Sequence, residues 1–195
     1  MNEFDENTPS EVLPRLFLTN HTTATNLKWL QQNNVKLIVN VSKDLPFSSN
    51  APHLATTPNT LMLRVYIDDI YTSDVAVRTF EQNSMSLHLD HVVDFIHIIL
   101  KDPNSAVVVH CLHGIQRSAA IIVGYLLKYG RSEIKNTVPA QLYTYQSYLD
   151  KAIQYVINKR PKAFVGGKYI NFADSMKKYD KILFDSGTPS AFNPL

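Results

Sequence analysis

The hydrophobic positions change period several times along the chain. Between Thr22 and Gln32, Ala24, Leu27 and Leu30 recur every three residues, which predicts a helix with one inward face. Val35–Val41 (VKLIVNV) is mostly apolar, as a strand covered on both faces should be. Leu61–Ile67 alternates instead, with Leu63, Val65 and Ile67 on one side and Arg64 and Tyr66 on the other. Val92, Phe95, Ile96 and Ile99 return to helical spacing, and Val107–Val109 reads as a short buried strand. Ser118–Tyr129 is apolar nearly all round, which predicts a helix in the middle of the molecule. Leu149, Ala152, Ile153 and Val156 mark a helix stopped near Pro161, and Phe172, Met176, Tyr179 and Leu183 mark the last. Strands interleaved with helices give an α/β domain, a central mostly parallel or mixed sheet flanked by helices, without fixing the strand order.

A chain of 195 residues, 45% of them hydrophobic, suits one domain with a real core. No repeat or linker divides it. Residues 1–10 are expected to form a flexible lead, 11–184 the folded domain and 185–195 a flexible tail. A formal charge of +2 is too small to imply nucleic-acid binding by itself. The longest apolar run, Ala119–Leu127, is interrupted by Gly124 and Tyr125, so no membrane insertion is expected. The polar, acidic N-terminus is unlike a secretory signal. Cys111 is the only cysteine, which rules out an internal disulfide and argues against a cysteine-based zinc site. An intracellular setting, cytoplasmic or nuclear, follows as the expectation. Oligomeric state is not legible.

The stretch Val107–Leu127 (VVVHCLHGIQRSAAIIVGYLL) carries the chemistry. It reads strand, short loop, helix, and the loop from Cys111 to Arg117 has the pattern C-x5-R with Gly114 inside. Successive backbone N–H groups in such a loop can point inward as an anion nest, backed by the positive end of the following helix. Gly114 permits a backbone angle that a side chain resists. Arg117 supplies a planar, permanently charged fork that matches two phosphate oxygens. Cys111 sits where this positive potential converges, so its thiolate should be stabilised and poised as a nucleophile. A lone cysteine after a valine run is ordinarily just a small buried hydrophobe. It is Gly114 and Arg117 at this spacing that set that reading aside.

HCLHGIQRS resembles the signature H-C-x-x-G-x-x-R-S of cysteine-dependent phosphatases, and the flanks resemble their dual-specificity branch. VLPRLFLTNHTTATN is similar to that branch's opening strand and helix, LIVNVS to its next core strand, and INFADSMKKYDKIL to its closing helix. The resemblance implies a single-domain phosphatase fold that works through a cysteinyl-phosphate, with no cofactor and no metal. It implies Cys111 as nucleophile and Leu112, His113, Gly114, Ile115, Gln116 and Arg117 as the phosphate-binding loop. His110 would order the loop beneath the cysteine. Ser118 would offer a hydroxyl that helps the thiolate leave, or serve simply as a helix N-cap.

The family also carries an aspartic general acid on a loop after the strand matching Leu61–Ile67. Here that strand ends VYIDDIYTSD, so Asp68 and Asp69 both qualify. Setting Val65, Tyr66 and Ile67 against the family's pattern places Asp69 on the acid's position, with Asp68 the alternative and Asp74 a weaker third. The segment from Asp69 to the helix containing Phe95 looks longer than in compact members, as does Arg131–Ser147. The implied substrates are phosphotyrosine and phosphoserine or phosphothreonine in proteins. His113 gives HCLHG, similar to the H-C-T-H-G of RNA 5′-tri- and diphosphatases of the same fold. Their continuation N-R-T-G is missing, so RNA stands as the alternative substrate. A phosphate-binding scaffold would ordinarily have lost Cys111 or Arg117, and both are present.

Overall fold

The computed structural model describes residues 5, 7–46, 60–68, 73–135, 145–165 and 172–186. A five-stranded mixed sheet has the order β1-β2-β5-β3-β4. The strands are β1 (Ser10–Leu13), β2 (Leu16–Thr19), β3 (Val35–Val41), β4 (Leu61–Val65) and β5 (Ala106–His110). Only β1 runs antiparallel to its neighbour, and β2, β5, β3 and β4 are parallel. The expected α/β layering is therefore present. The opening segment is a hairpin rather than one strand. Arg15, at φ 66°, makes its turn, and its guanidinium donates to the carbonyls of Leu100, Asp102 and Ser105.

One face of the sheet presents Leu16, Leu18, Leu37, Val39, Val41, Val107 and Val109 to the main core. Lying on it is α4 (Arg117–Tyr129), buried continuously from Arg117 to Leu127, as the all-round apolar pattern predicts. α3 (Val75–Leu100), α6 (Tyr145–Lys159) and α7 (Ala173–Asp185) pack around α4. The opposite face is thinner. Val35, Ile38, Ala106 and Val108 lie under Ala24 and Leu30, closed by an edge-on Phe17–Trp29 pair at 5.1 Å. No helix among the described residues is long and apolar enough to cross a membrane.

Several boundaries differ from the sequence reading for local reasons. The helix expected over Thr22–Gln32 is two, α1 (His21–Ala24) and α2 (Leu27–Gln32). Asn20 caps the first through Thr23 N–H and Asn26 caps the second through Trp29 N–H, so capping at Asn26 interrupts the apolar period. The long stretch before Phe95 is mostly helix, because α3 begins at Val75 and runs 26 residues. Arg131–Lys135 forms a short α5, while 136–144 lie outside the described residues. The expected lead joins the fold by its last residues: Ser10 opens β1, and the carbonyls of Asn7 and Thr8 accept from Thr23 Oγ1 and Arg160. Of the expected tail, Asp185 ends α7, and 187–195 lie outside the described residues.

Candidate active site

The C-terminal ends of the parallel strands, where open α/β sheets place their ligands, carry a row of polar side chains. Thr19 is level with His110, His110 with Asn40, and Asn40 with Arg64, so the row crosses β2, β5, β3 and β4. Thr19, His110 and Asn40 are buried. Cys111 follows directly on β5, and the loop from Cys111 to Gln116 carries the chain into α4.

The loop curls around the sulfur. Gly114 N–H donates to Cys111 Sγ at 3.3 Å, as does the Ser118 hydroxyl, also at 3.3 Å. The backbone N–H groups of Ser118 and Ile115 add to these. Burial pushes the Cys111 thiol up, but the Arg117 guanidinium and the Ser118 and Ile115 donors together outweigh it and hold the thiol below its ordinary value. Gly114 adopts φ +67°, and a Cβ there would sit 2.4 Å from the Thr19 carbonyl oxygen. Both the angle and the space at this position require glycine. Gln116 caps α4 with no side-chain bond to the helix and turns its amide toward the Val165 carbonyl, so it faces away from the nest.

With the N–H groups turned inward, the carbonyls of the loop point outward and need partners of their own. Each from Cys111 to Ile115 has one. His110 Nδ1 lies 3.4 Å from Cys111 O, and His21 N–H donates to Leu112 O at 3.2 Å. Burial pushes His110 down to about 4, so the ring is neutral, and its single N–H, carried on Nδ1, serves Cys111 O. Arg160 donates from Nε to Gly114 O at 2.8 Å and from Nη2 to His113 O at 3.3 Å. Phe164 N–H donates to Ile115 O at 2.9 Å.

Arg160 is wholly enclosed, 0% exposed, and its remaining nitrogen reaches Thr8 O and Ser10 Oγ. It ties the loop to the start of β1 and the end of α6. The sequence reading missed it, because Pro161 marks only the end of a helix and nothing in the local pattern distinguishes a buried arginine from a solvated one. Arg160→Met keeps the apolar stem and strips the donors from the Gly114 and His113 carbonyls, the first of them buried. It should lower stability by about 2–4 kcal/mol, roughly 4–16 °C in Tm for a domain of this size. Vanadate affinity should fall with it. Calorimetry and vanadate titration check both, and an unchanged Tm would show that the carbonyls do not depend on Arg160.

The other candidate residues are placed as follows. Arg117 is buried, and its Nη1 reaches the Ile67 carbonyl at 3.4 Å. Ser118 is fully buried against the sulfur. His113 is exposed, and Leu112 is 44% exposed, so the loop's outer rim is open to solvent. Asp68 pairs with Lys43 at 3.4 Å. Asp74 caps α3, accepting from Ala76 and Val77 N–H. Asp69 lies outside the described residues. Among the described residues no group of three or more His, Cys, Asp or Glu could hold a metal ion.

This arrangement has recognisable relatives. The family model described as the dual specificity phosphatase catalytic domain matches residues 16–141. Human dual specificity protein phosphatase 16 is 29% identical over 173 residues, 89% of this chain and 21% of that protein. Dual specificity protein phosphatase 1 of Arabidopsis thaliana is 28% identical over 174 residues, 89% of this chain and 71% of that protein. The chain thus spans about a fifth of the human relative's length. Among solved structures, a mouse putative dual specificity phosphatase complexed with zinc tungstate superposes with a TM-score of 0.65 at 24% identity, covering 96% of each chain. A strand–loop–helix wrapped on Cys111, carried by this sheet and matched from β2 through α4, makes the chain a member of the dual specificity phosphatase catalytic domain family.

Proposed function

We propose that the chain is a cysteine-dependent protein phosphatase that hydrolyses phosphotyrosine and phosphoserine or phosphothreonine through a cysteinyl-phosphate. The observation that carries this reading is a buried sulfur receiving hydrogen bonds from Gly114 and Ser118 beside the Arg117 guanidinium. Those contacts favour the thiolate of Cys111, and the inward N–H groups around it can seat an anion. A phosphoryl group seated there meets the inward N–H groups and the Arg117 fork, which stabilise the charge on its equatorial oxygens. The Cys111 sulfur attacks phosphorus, and the S–P bond forms as the ester P–O bond breaks. The leaving oxygen takes a proton from the general acid, for which Asp69 is proposed and Asp68 is the alternative. Water then attacks phosphorus as the S–P bond breaks, and inorganic phosphate leaves carrying the water's protons. The Ser118 hydroxyl, 3.3 Å from the sulfur, receives the returning thiolate charge. A thiolate nucleophile needs a reducing surrounding, so we place the protein inside the cell.

The test is turnover of phosphotyrosyl and phosphothreonyl peptides, with rapid-quench mass spectrometry for phosphate on Cys111. Release of phosphate from both peptides with a transient adduct supports the reading. Turnover of a 5′-triphosphorylated RNA but of neither peptide would replace it.

The acid is separated from its neighbour by substitution. Lys43 already engages the Asp68 carboxylate, which supports Asp69 as the donor. Asp69→Asn should lower kcat on phosphopeptides by on the order of 10²-fold and flatten the basic limb of the pH–rate profile. It should matter far less for an aryl phosphate whose leaving group is already acidic. The same pattern in Asp68→Asn and not in Asp69→Asn would reverse the assignment.

A further inference from the structure

Glu81 stands in the second turn of α3 and is only 7% exposed. A buried carboxylate is costly unless something accepts its charge or its lone pairs. Its hydrogen bond among the described residues is to one group, the backbone N–H of Asp68, at 3.0 Å from Oε2. The other end of that same peptide unit, the Ile67 carbonyl, accepts from Arg117 Nη1 at 3.4 Å and from Lys43 N–H at 3.2 Å. The Ile67–Asp68 peptide is therefore clamped at both ends. A carboxylate of α3 holds its N–H, and the guanidinium at the start of α4 holds its carbonyl. Charged partners at the two ends polarise the peptide in the same sense, so each bond strengthens the other. Ile67 is wholly buried, which anchors the side chain between them.

This peptide is where the chain leaves β4 for Asp68 and Asp69. We infer that Glu81 is a positioning residue that fixes the acid-bearing segment against Arg117 through the Ile67–Asp68 peptide. The inference rests on the phosphatase reading above, and it holds whichever of the two aspartates donates the proton. Among the described residues Glu81 makes no hydrogen bond to the sulfur or the anion loop and meets Arg117 only through the shared peptide, so its effect falls chiefly on delivery of the proton. Attack by Cys111 and binding of the phosphoryl group use other residues.

The experiment compares wild type, Glu81→Met and Glu81→Gln on two aryl phosphates, one with an acidic phenol as leaving group and one with a weakly acidic phenol. Vanadate affinity and Tm are measured alongside. In Glu81→Met the N–H loses its acceptor. kcat for the weakly acidic leaving group should fall at least about tenfold, while kcat for the acidic one changes less than about threefold, because only the first needs a proton. The basic limb of the pH profile should flatten, and vanadate affinity should stay within about twofold, since the nest is backbone. Glu81→Gln keeps an oxygen acceptor without the charge and should shift the ratio in the same direction by less.

Equal losses on both esters, or loss of vanadate binding in parallel with kcat, would mean that Glu81 supports the fold at large and would overturn the inference. If Glu81→Met does not fold, Glu81→Gln decides, and an unchanged ratio in that variant overturns it. A wild-type chain that hydrolyses neither ester overturns the phosphatase reading and this inference with it. A wild-type chain that hydrolyses both, with variants that track it, overturns this inference alone.

Discussion

Cys111→Ser should remove turnover almost completely and leave anion binding in place. A serine hydroxyl ionises far above neutral pH, and no neighbour here lowers it enough to make an alkoxide. The Arg117, Ser118 and Ile115 contacts that hold the cysteine thiol down act on a group that already ionises near the working range. The loss in kcat should be on the order of 10³-fold or more, the scale seen when a covalent nucleophile is deleted. Binding should survive because the nest is built from the N–H groups of the loop, and the partners of its outward carbonyls, His110, His21, Arg160 and Phe164, are untouched. Sulfate or a phosphopeptide should therefore bind the variant with near-wild-type affinity, which also makes it the reagent for capturing substrates. Iodoacetate alkylation of the wild type gives an independent check. Its rate should reach its plateau at a lower pH than that of an ordinary cysteine, as expected of a thiol held below its ordinary value. A variant that kept a tenth of wild-type kcat would remove Cys111 from the mechanism.

How far the sequence reaches toward this picture depends on whether a feature is local. Val35–Val41 and Ser118–Tyr129 are recovered almost to the residue, because a strand or helix buried all round leaves a mostly apolar run. The loop from Cys111 to Arg117 is legible for the same reason, since its sulfur, glycine and arginine lie within one short stretch. α3 is only half visible. It buries Met85, Leu89, Val93 and Ile96 on one face, but it also exposes Phe80, Leu87 and Ile98 and buries Glu81 and Ser86, which blurs that face in the sequence. The hairpin of β1 and β2 hides behind Pro14 and Arg15, where a left-handed arginine replaces the glycine that a turn pattern would show.

The residues that complete the site from a distance are the ones the sequence conceals. Arg160 is 46 positions from Gly114 and Glu81 is 13 from Asp68. Both are charged side chains in helical stretches, where a solvated surface position is the ordinary expectation. What reveals them is burial together with a backbone partner, and neither quantity exists before the chain is folded. The general acid shows the reverse limit. Two adjacent aspartates are visible in the sequence, and one residue of register separates their roles. Of the two, the Asp68 carboxylate is engaged by Lys43.

Arg117→Lys tests whether the cation acts as a fork or only as a charge. Arg117 is buried at the first position of α4, with Nη1 directed to the Ile67 carbonyl at 3.4 Å, while its charge is the leading influence that lowers the Cys111 thiol against the cost of burial. A lysine ammonium would keep a positive charge on the same helix end but could present it at one point only. It could not bond two phosphoryl oxygens in one plane while reaching Ile67 as well. kcat should therefore fall by about 10²–10³-fold, the cost of losing one preorganised donor at a charged transition state. Vanadate, whose trigonal-bipyramidal adduct demands the equatorial contacts most, should lose more affinity than sulfate. The thiol should respond far less, because the Ser118 and Ile115 donors remain and the lysine charge replaces part of the arginine's. The alkylation profile of Cys111 should thus move only slightly toward higher pH while turnover collapses. That separation is the informative result. If turnover and the thiol's pH profile shifted together and by the same factor, the arginine would be acting through the sulfur alone. Equal vanadate affinity in the two proteins would remove it from the anion site.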